Sequence, residues 1–188
     1  MNFRIMTAAV AAVSMVPLAA CTKVETDEAG NQVTGQTTIE ALAADDNLSD
    51  FAGAFETTGL DGIFDGPAAY TVLAPENGAF GALEDSEEDM SEEERKPVMA
   101  AVLRDHILPG ALTPDDIKAS LEAGNGSAMA TMGNGSVTFS LNNEDRIVAT
   151  GADGRKAILS EAAVRTDNGV VIPVDAVLRT IGETQTGA

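Results

Sequence analysis

The sequence predicts an α+β domain in which helices precede strands. Apolar residues recur at three- and four-residue spacing through Ile39, Leu42, Ala43, Leu48, Phe51, Ala52 and Phe55, the stripe of short amphipathic helices. After Gly124 the period falls to two, as in Val137-Thr138-Phe139-Ser140-Leu141 and Arg146-Ile147-Val148-Ala149. Gly/Asn/Asp turns at 133–135, 142–145 and 151–154 separate these runs at hairpin spacing.

The elements follow in order. Ala69-Tyr70-Thr71-Val72-Leu73 reads as a strand that stops at Ala74-Pro75, and Glu76 to Leu83 carries a helical stripe through Ala79, Phe80 and Leu83. A further helix is expected over Val98 to Leu103. Thr113-Pro114-Asp115-Asp116 opens the next, with Thr113 as cap, Pro114 in the first helical position and two acids at the positive end of the dipole. Gly124 ends it. Ala157 to Val164 and Val170 to Val174 are expected strands, joined across the turn signal Asp167-Asn168-Gly169. Gly124-Asn125-Gly126-Ser127 recurs as Gly133-Asn134-Gly135-Ser136. No Lys-Ser/Thr pair follows either copy, so these are turns rather than a phosphate cradle.

The N-terminal residues lie apart from this pattern. Arg4 and the free amino group precede a charge-free run from Ile5 to Val16, too short for the ~20 apolar residues of a membrane span but suited to a secretory signal. Leu18-Ala19-Ala20-Cys21 matches the bacterial lipobox, in which small residues admit the peptidase and the cysteine thiol takes a diacylglyceryl group. Cys21 is the single cysteine of the chain, so lipid attachment accounts for both its presence and its isolation. Two or three acyl chains exceed what stable anchoring needs, each buried methylene contributing about 0.8 kcal/mol. Thr22, in place of Asp after the cysteine, is the pattern sorted to the outer membrane in Gram-negative cells.

The expected organisation is therefore a signal peptide over 1–20, a lipidated flexible tether over 21–36, a domain over 37–181 and a disordered tail over 182–188. The tether's mean reach is on the order of 20 Å. A short hairpin through Gly30-Asn31 is the competing reading of that segment.

Composition excludes several functions. The 188 residues hold 30 Asp and Glu against 11 Lys and Arg, a formal charge of -19 that repels nucleic acid. Loss of residues 1–20 removes one base and no acid, so the mature side chains carry -20. One cysteine forms no internal disulfide, and one Cys with one His supplies no Cys/His zinc cage. Any Ser-His or Cys-His catalysis has to run through His106, for which no second His, free thiol or GxSxG elbow offers a partner.

Three separated segments resemble the fasciclin (FAS1) domain family. Tyr70-Thr71-Val72-Leu73-Ala74-Pro75-Glu76-Asn77-Gly78-Ala79-Phe80 is similar to its first signature box, Leu103-Arg104-Asp105-His106-Ile107-Leu108-Pro109-Gly110 to its central His motif, and Asn168-Gly169-Val170-Val171-Ile172-Pro173-Val174-Asp175-Ala176-Val177-Leu178 to its second box. The resemblance implies a β-sandwich of about seven strands flanked by N-terminal and central helices, used as an extracellular adhesion and interaction module. The sequence departs from the family at Asp105, where adhesive members often carry Tyr, and at Ile172-Pro173, which replaces a His-containing pair. Pro173 cannot donate to a ladder, so its strand is expected to be an edge there or bulged.

The candidate site residues are Cys21 for lipid and Asn77, His106 and Asp175 as structural or binding positions. Asn77 and Asp175 suit helix capping or bonding to neighbouring backbone. His106, between Leu103 and Ile107, is read as a hydrogen-bonded core histidine. The acidic run from Glu84 to Glu94 reads as a solvated loop; its carboxylates suit calcium, but it lacks the glycine and alternating ligands of an EF-hand loop. No metal, cofactor or enzyme activity is expected. The function expected is that of a lipid-anchored surface module contacting an unidentified protein or polysaccharide, exported and held at the outer membrane or periplasmic face. The alternative is an envelope lipoprotein that binds a small ligand or assists a periplasmic enzyme.

Overall fold

Two strands far apart in sequence, β3 (Tyr70–Pro75) and β10 (Gly169–Val174), run parallel at the centre of the molecule, in register from Gly169 opposite Tyr70 to Val174 opposite Pro75. The computed structural model describes residues 25–27, 31–85, 90–124 and 128–179. The expected signal and lipobox segment, Cys21 and the expected tail over 182–188 lie outside the described residues.

The central pair belongs to a six-stranded sheet that also contains β1 (Glu25–Thr26), β2 (Gln32–Val33), β4 (Ile107–Pro109) and β9 (Val164–Thr166), in the order β1-β2-β9-β10-β3-β4. A four-stranded antiparallel sheet packs on it, ordered β5 (Ala128–Ala130), β6 (Ser136–Leu141), β7 (Ile147–Thr150), β8 (Lys156–Ile158). Five α-helices complete the fold: α1 (Thr38–Ala44), α2 (Ser49–Thr58), α3 (Asn77–Asp85), α4 (Glu92–Asp105) and α5 (Pro114–Glu122), with a 3-10 turn at Asp61–Asp65. The α+β class and the flanking helices agree with expectation, with ten strands among the described residues where the resemblance implied about seven.

Alternation along the central strands separates two cores. Val72, Ala74 and Val171 turn toward the helices and pack with Leu42, Phe51, Phe55, Phe80 and Leu103. Leu73, Val170, Ile172 and Val174 turn the other way, onto Val137, Phe139, Ile147 and Ala149 of the second sheet and Ile117 of α5. A sheet covered on both faces needs near-continuous apolar strands, and every residue from Thr71 to Pro75 is buried.

Three helices start on reciprocal capping boxes: Thr37 with Glu40, Ser91 with Glu94, and Thr113 with Asp116. The second corrects the expectation of a helix over Val98 to Leu103. The cap at Ser91 starts α4 at Glu92, six residues before the Val98 that the apolar stripe alone suggests, and Pro97 lies inside the helix. Pro97 falls where its missing N–H deprives only the exposed Glu93 carbonyl of a partner, so the helix tolerates it.

Three further expectations change. The expected strand Ala157 to Val164 is two strands, β8 and β9, because the chain leaves the second sheet after Leu159 and crosses to the first. The expected tether is not free over its latter part: β1 and β2 pair antiparallel, and β2 pairs parallel with β9. Buried Asn31 fastens this hairpin, its backbone N–H and Nδ2 both donating to the Asp27 carboxylate at 2.9 and 3.1 Å, while Gln32 N–H donates to the Ala163 carbonyl at 2.9 Å. Pro173 lies in an interior strand rather than at an edge. It is accommodated because β9 reaches only Val171, and beyond it the Pro173 carbonyl accepts from Ser160 N–H at 2.9 Å.

Gly169 marks the tightest approach in the sheet. A Cβ there would collide with the Tyr70 carbonyl, which cannot retreat without disturbing the central ladder, and would crowd Thr38 Oγ1. Gly169→Ala is expected to cost about 3 kcal/mol or more. Urea unfolding followed by circular dichroism checks this, and a wild-type midpoint would contradict the placement.

Candidate functional site

The three polar residues singled out in the sequence sit at the seams between layers. Asn77 begins α3 directly after β3, and Asp175 directly follows β10, so the parallel pairing of those strands brings both to the same end of the sheet. His106 caps the C-terminus of α4 just before β4, the strand beside β3. The three sequence motifs are thus three adjacent strands. Cys21 lies outside the described residues.

Asn77 serves another helix. Leu48, at the N-cap of α2, offers no side-chain acceptor. Asn77 Oδ1 instead accepts from the Asp50 N–H at 3.2 Å, while Nδ2 donates to the Asp46 carbonyl at 2.9 Å and the Ser49 hydroxyl at 3.1 Å. Asp175 accepts from the Ile158 N–H at 2.7 Å, closing the end of β8.

His106 is wholly buried. Its Nδ1–H donates to the Val102 carbonyl at 2.8 Å, and Nε2 accepts from the Leu178 N–H at 3.0 Å, which fixes the neutral tautomer. The ring packs edge-on against Phe51 at a centroid distance of 5.7 Å. Burial pushes the imidazole down to about 4 against the opposing effects of the Val102 carbonyl and the Asp105 charge. Both nitrogens are committed to backbone, so the ring reaches neither solvent nor ligand.

The Leu178 bond belongs to a C-terminal strap. Val177 packs in the helix-side core and Leu178 in the sheet-side core. Arg155 Nε donates to the Val177 carbonyl at 3.1 Å, and Arg179 pairs with Asp105, which also accepts from Thr131 Oγ1 at 3.2 Å. Asp105 was noticed in the sequence only as a departure from the family; its position beside His106 and the isolated base Arg179 were the available signals. Asn168, read as a turn residue, also joins elements: Oδ1 accepts from the Thr38 N–H at 2.8 Å and Nδ2 donates to the Phe64 carbonyl at 2.6 Å.

Two of the surface cavities are lined by described residues. One of about 220 Å³ lies between α5 and the second sheet, lined by Leu112, Ile117, Leu121, Met129 and Phe139 with Asp116 and Ser120. The Asp116 carboxyl is held below its usual range by the Thr113 hydroxyl and N–H, with Arg165 assisting. The other, about 160 Å³, is bordered by Gln32, Asp45, Glu76, Ser160 and Pro173. Among the described residues no group of three or more His, Cys, Asp or Glu is placed to hold a metal. The acidic run is described only in part: Glu92, Glu93 and Glu94 form the first turn of α4, facing the positive end of its dipole.

Charge is segregated along the chain. Between Thr37 and Glu94 there are sixteen Asp and Glu and no Lys or Arg, so this stretch, which runs from the cap of α1 into the first turn of α4, holds sixteen of the thirty acids and none of the eleven bases. No helix among the described residues is long and apolar enough to cross a membrane.

A histidine that stays neutral when folded but ionises near 6.5 when unfolded makes stability depend on pH. Above 6.5 its contribution is full; as pH falls toward 4 the unfolded chain binds a proton that the folded one does not, and about 3 kcal/mol is lost. The penalty of His106→Gln, measured by urea unfolding against wild type, is therefore expected to shrink by roughly that amount between pH 7 and pH 4.5. A penalty independent of pH would show that the imidazole is not held neutral. Asn77→Ala removes the α2 cap and is expected to cost about 1 kcal/mol in the same assay, with no pH dependence over that range.

The Fasciclin domain family model matches residues 46–180. Protein sll1483 of Synechocystis sp. is 26% identical over 170 residues, covering 87% of each chain. The solved structure of a FAS1 domain pair from the insect cell adhesion molecule Fasciclin I resembles the fold with a TM-score of 0.57 and 26% identity. It covers 70% of this chain, which spans 45% of the insect one. A family match over most of the chain, joined to three signature segments that form adjacent strands β10, β3 and β4, places the protein in the fasciclin (FAS1) domain family.

Proposed function

We propose that the chain is a non-catalytic, lipid-anchored fasciclin module that mediates adhesion or contact with matrix polysaccharide or envelope proteins. The observation that carries this reading is the fasciclin match over residues 46–180 behind a lipobox with the sole cysteine at its end. Asn77, His106 and Asp175 spend their hydrogen bonds on holding elements together, which fits a module that makes its contacts elsewhere on its surface. The solved relative is a cell adhesion molecule, and the same use is carried over here as part of the proposal. In this reading residues 1–20 are removed as a signal peptide, Cys21 is acylated, and the domain ending near residue 181 is held at the outer membrane or periplasmic face, with 182–188 as a free tail.

The apolar cavity beside α5 favours a second reading, in which the lipoprotein carries a small apolar ligand or passes it to an envelope enzyme. Its volume of about 220 Å³ is of the order of the roughly 150 Å³ enclosed apolar cavity that binds benzene, though this one opens to the surface.

Radiolabelled palmitate is expected to enter the wild-type protein and not the Cys21→Ser variant; label retained by the variant would remove the anchor. Cell-aggregation assays separate the functional readings. A deletion strain and a Cys21→Ser strain are both expected to aggregate less than the parent, and parental adhesion in both would end the adhesion reading. Calorimetric heat with small apolar alcohols, lost in Leu121→Arg, would favour the ligand reading instead.

A further inference from the structure

The β1–β2 hairpin changes what a lipid at Cys21 would do. A 15-residue tether over 22–36 would leave the domain free to rotate above the bilayer, but the sheet already begins at Glu25. Only Thr22, Lys23 and Val24 separate Cys21 from it. Four Cα-to-Cα steps span at most about 14 Å, however the chain runs. The strand so tied is the outermost of the six-stranded sheet.

We propose that the β1 edge of the six-stranded sheet is the membrane-facing surface of the domain, seated against the lipid head groups with the β4 edge pointing away. This rests on the reading of Cys21 as the lipid attachment site. The residues at this edge suit the contact. Val33, directly across from Glu25, is one of two large apolar side chains exposed among the described residues, at 39%. Arg165 is its register neighbour on β9 and stands half-exposed, 3.6 Å from Asp27, with Lys23 just upstream in the sequence. Glu25 opposite Val33 and Asp27 beside Arg165 balance these cations, so the exposed Val33 and the short connection, rather than net charge, favour the contact.

At the opposite edge α4 runs through its C-terminal end, at His106, into β4. Five strand spacings of about 4.8 Å put β4 roughly 24 Å from β1. Met132, the other exposed large apolar residue, donates its N–H to the Ile107 carbonyl of β4 at 2.8 Å and so marks this far edge.

The chain has no tryptophan, so a single introduced indole reports one position. Val33→Trp and Met132→Trp are prepared as full-length lipoproteins in phosphatidylethanolamine/phosphatidylglycerol vesicles containing a nitroxide head-group lipid. The Val33→Trp emission is expected to fall severalfold and the Met132→Trp emission to stay near its value without nitroxide. A Gly/Ser insertion of about 15 residues after Thr22 is expected to restore the first signal by freeing the domain. Equal quenching at both sites, or none at Val33→Trp in palmitate-labelled protein, overturns the edge-on seating while leaving the anchor intact. Absence of palmitate label in either preparation overturns the anchor and the seating together.

Discussion

The parallel ladder between β3 and β10 is the constraint from which the remaining architecture follows. Two apolar strands paired in parallel expose an apolar row on each face, and water must be excluded from both. The chain does this with two unlike covers. Helices with an aromatic cluster of Phe51, Phe55, Phe64 and Phe80 close one face, and hairpins with α5 close the other. Gly169 lets the ladder come close enough for Thr38 and Asn168 to pin α1 beside it.

Polar residues then work where covers meet. Asn77 joins the start of α3 to the start of α2, Asp175 joins the end of β10 to β8, and His106 joins the end of α4 to the strap. Each replaces a backbone partner that the local geometry withholds, and at His106, where the bonds are buried, its loss leaves a backbone group unsatisfied. Family motifs in this molecule are therefore a record of how its layers are locked. The surfaces left for recognition lie elsewhere, on the acidic helices, the cavity beside α5 and the sheet edges.

Much of this was legible in the sequence because the signals were local. The Thr113-Pro114 start of α5, the hairpin turns near 133, 143 and 152, and the strand running into Ala74-Pro75 depend on neighbours within a few residues. Ser91 and Glu94 were equally local, but the dense acids around them drew the reading toward a loop and hid the cap that starts α4. What could not be read was non-local. Nothing near Glu25 or Gln32 announces that β9 will accept a parallel strand, and two-residue strands carry no periodicity. The role of Asp105 depends on Arg179 and Thr131, far along the chain, and the Leu159 crossover depends on where β10 offers Val174. At the site, a buried His106 was anticipated from its apolar neighbours, whereas its Leu178 partner was not.

The strap that divides Val177 and Leu178 between the two cores has a kinetic consequence. The ladder joins residues 70–75 to residues 169–174, and the His106 bond closes only when residue 178 is in place. Contacts of such long sequence separation must meet the entropy of loop closure before they repay it, which makes folding slow relative to a helical bundle of this size. Neither core closes before residues 169–178 are in place, so this one segment acts as the clasp that commits both cores at once.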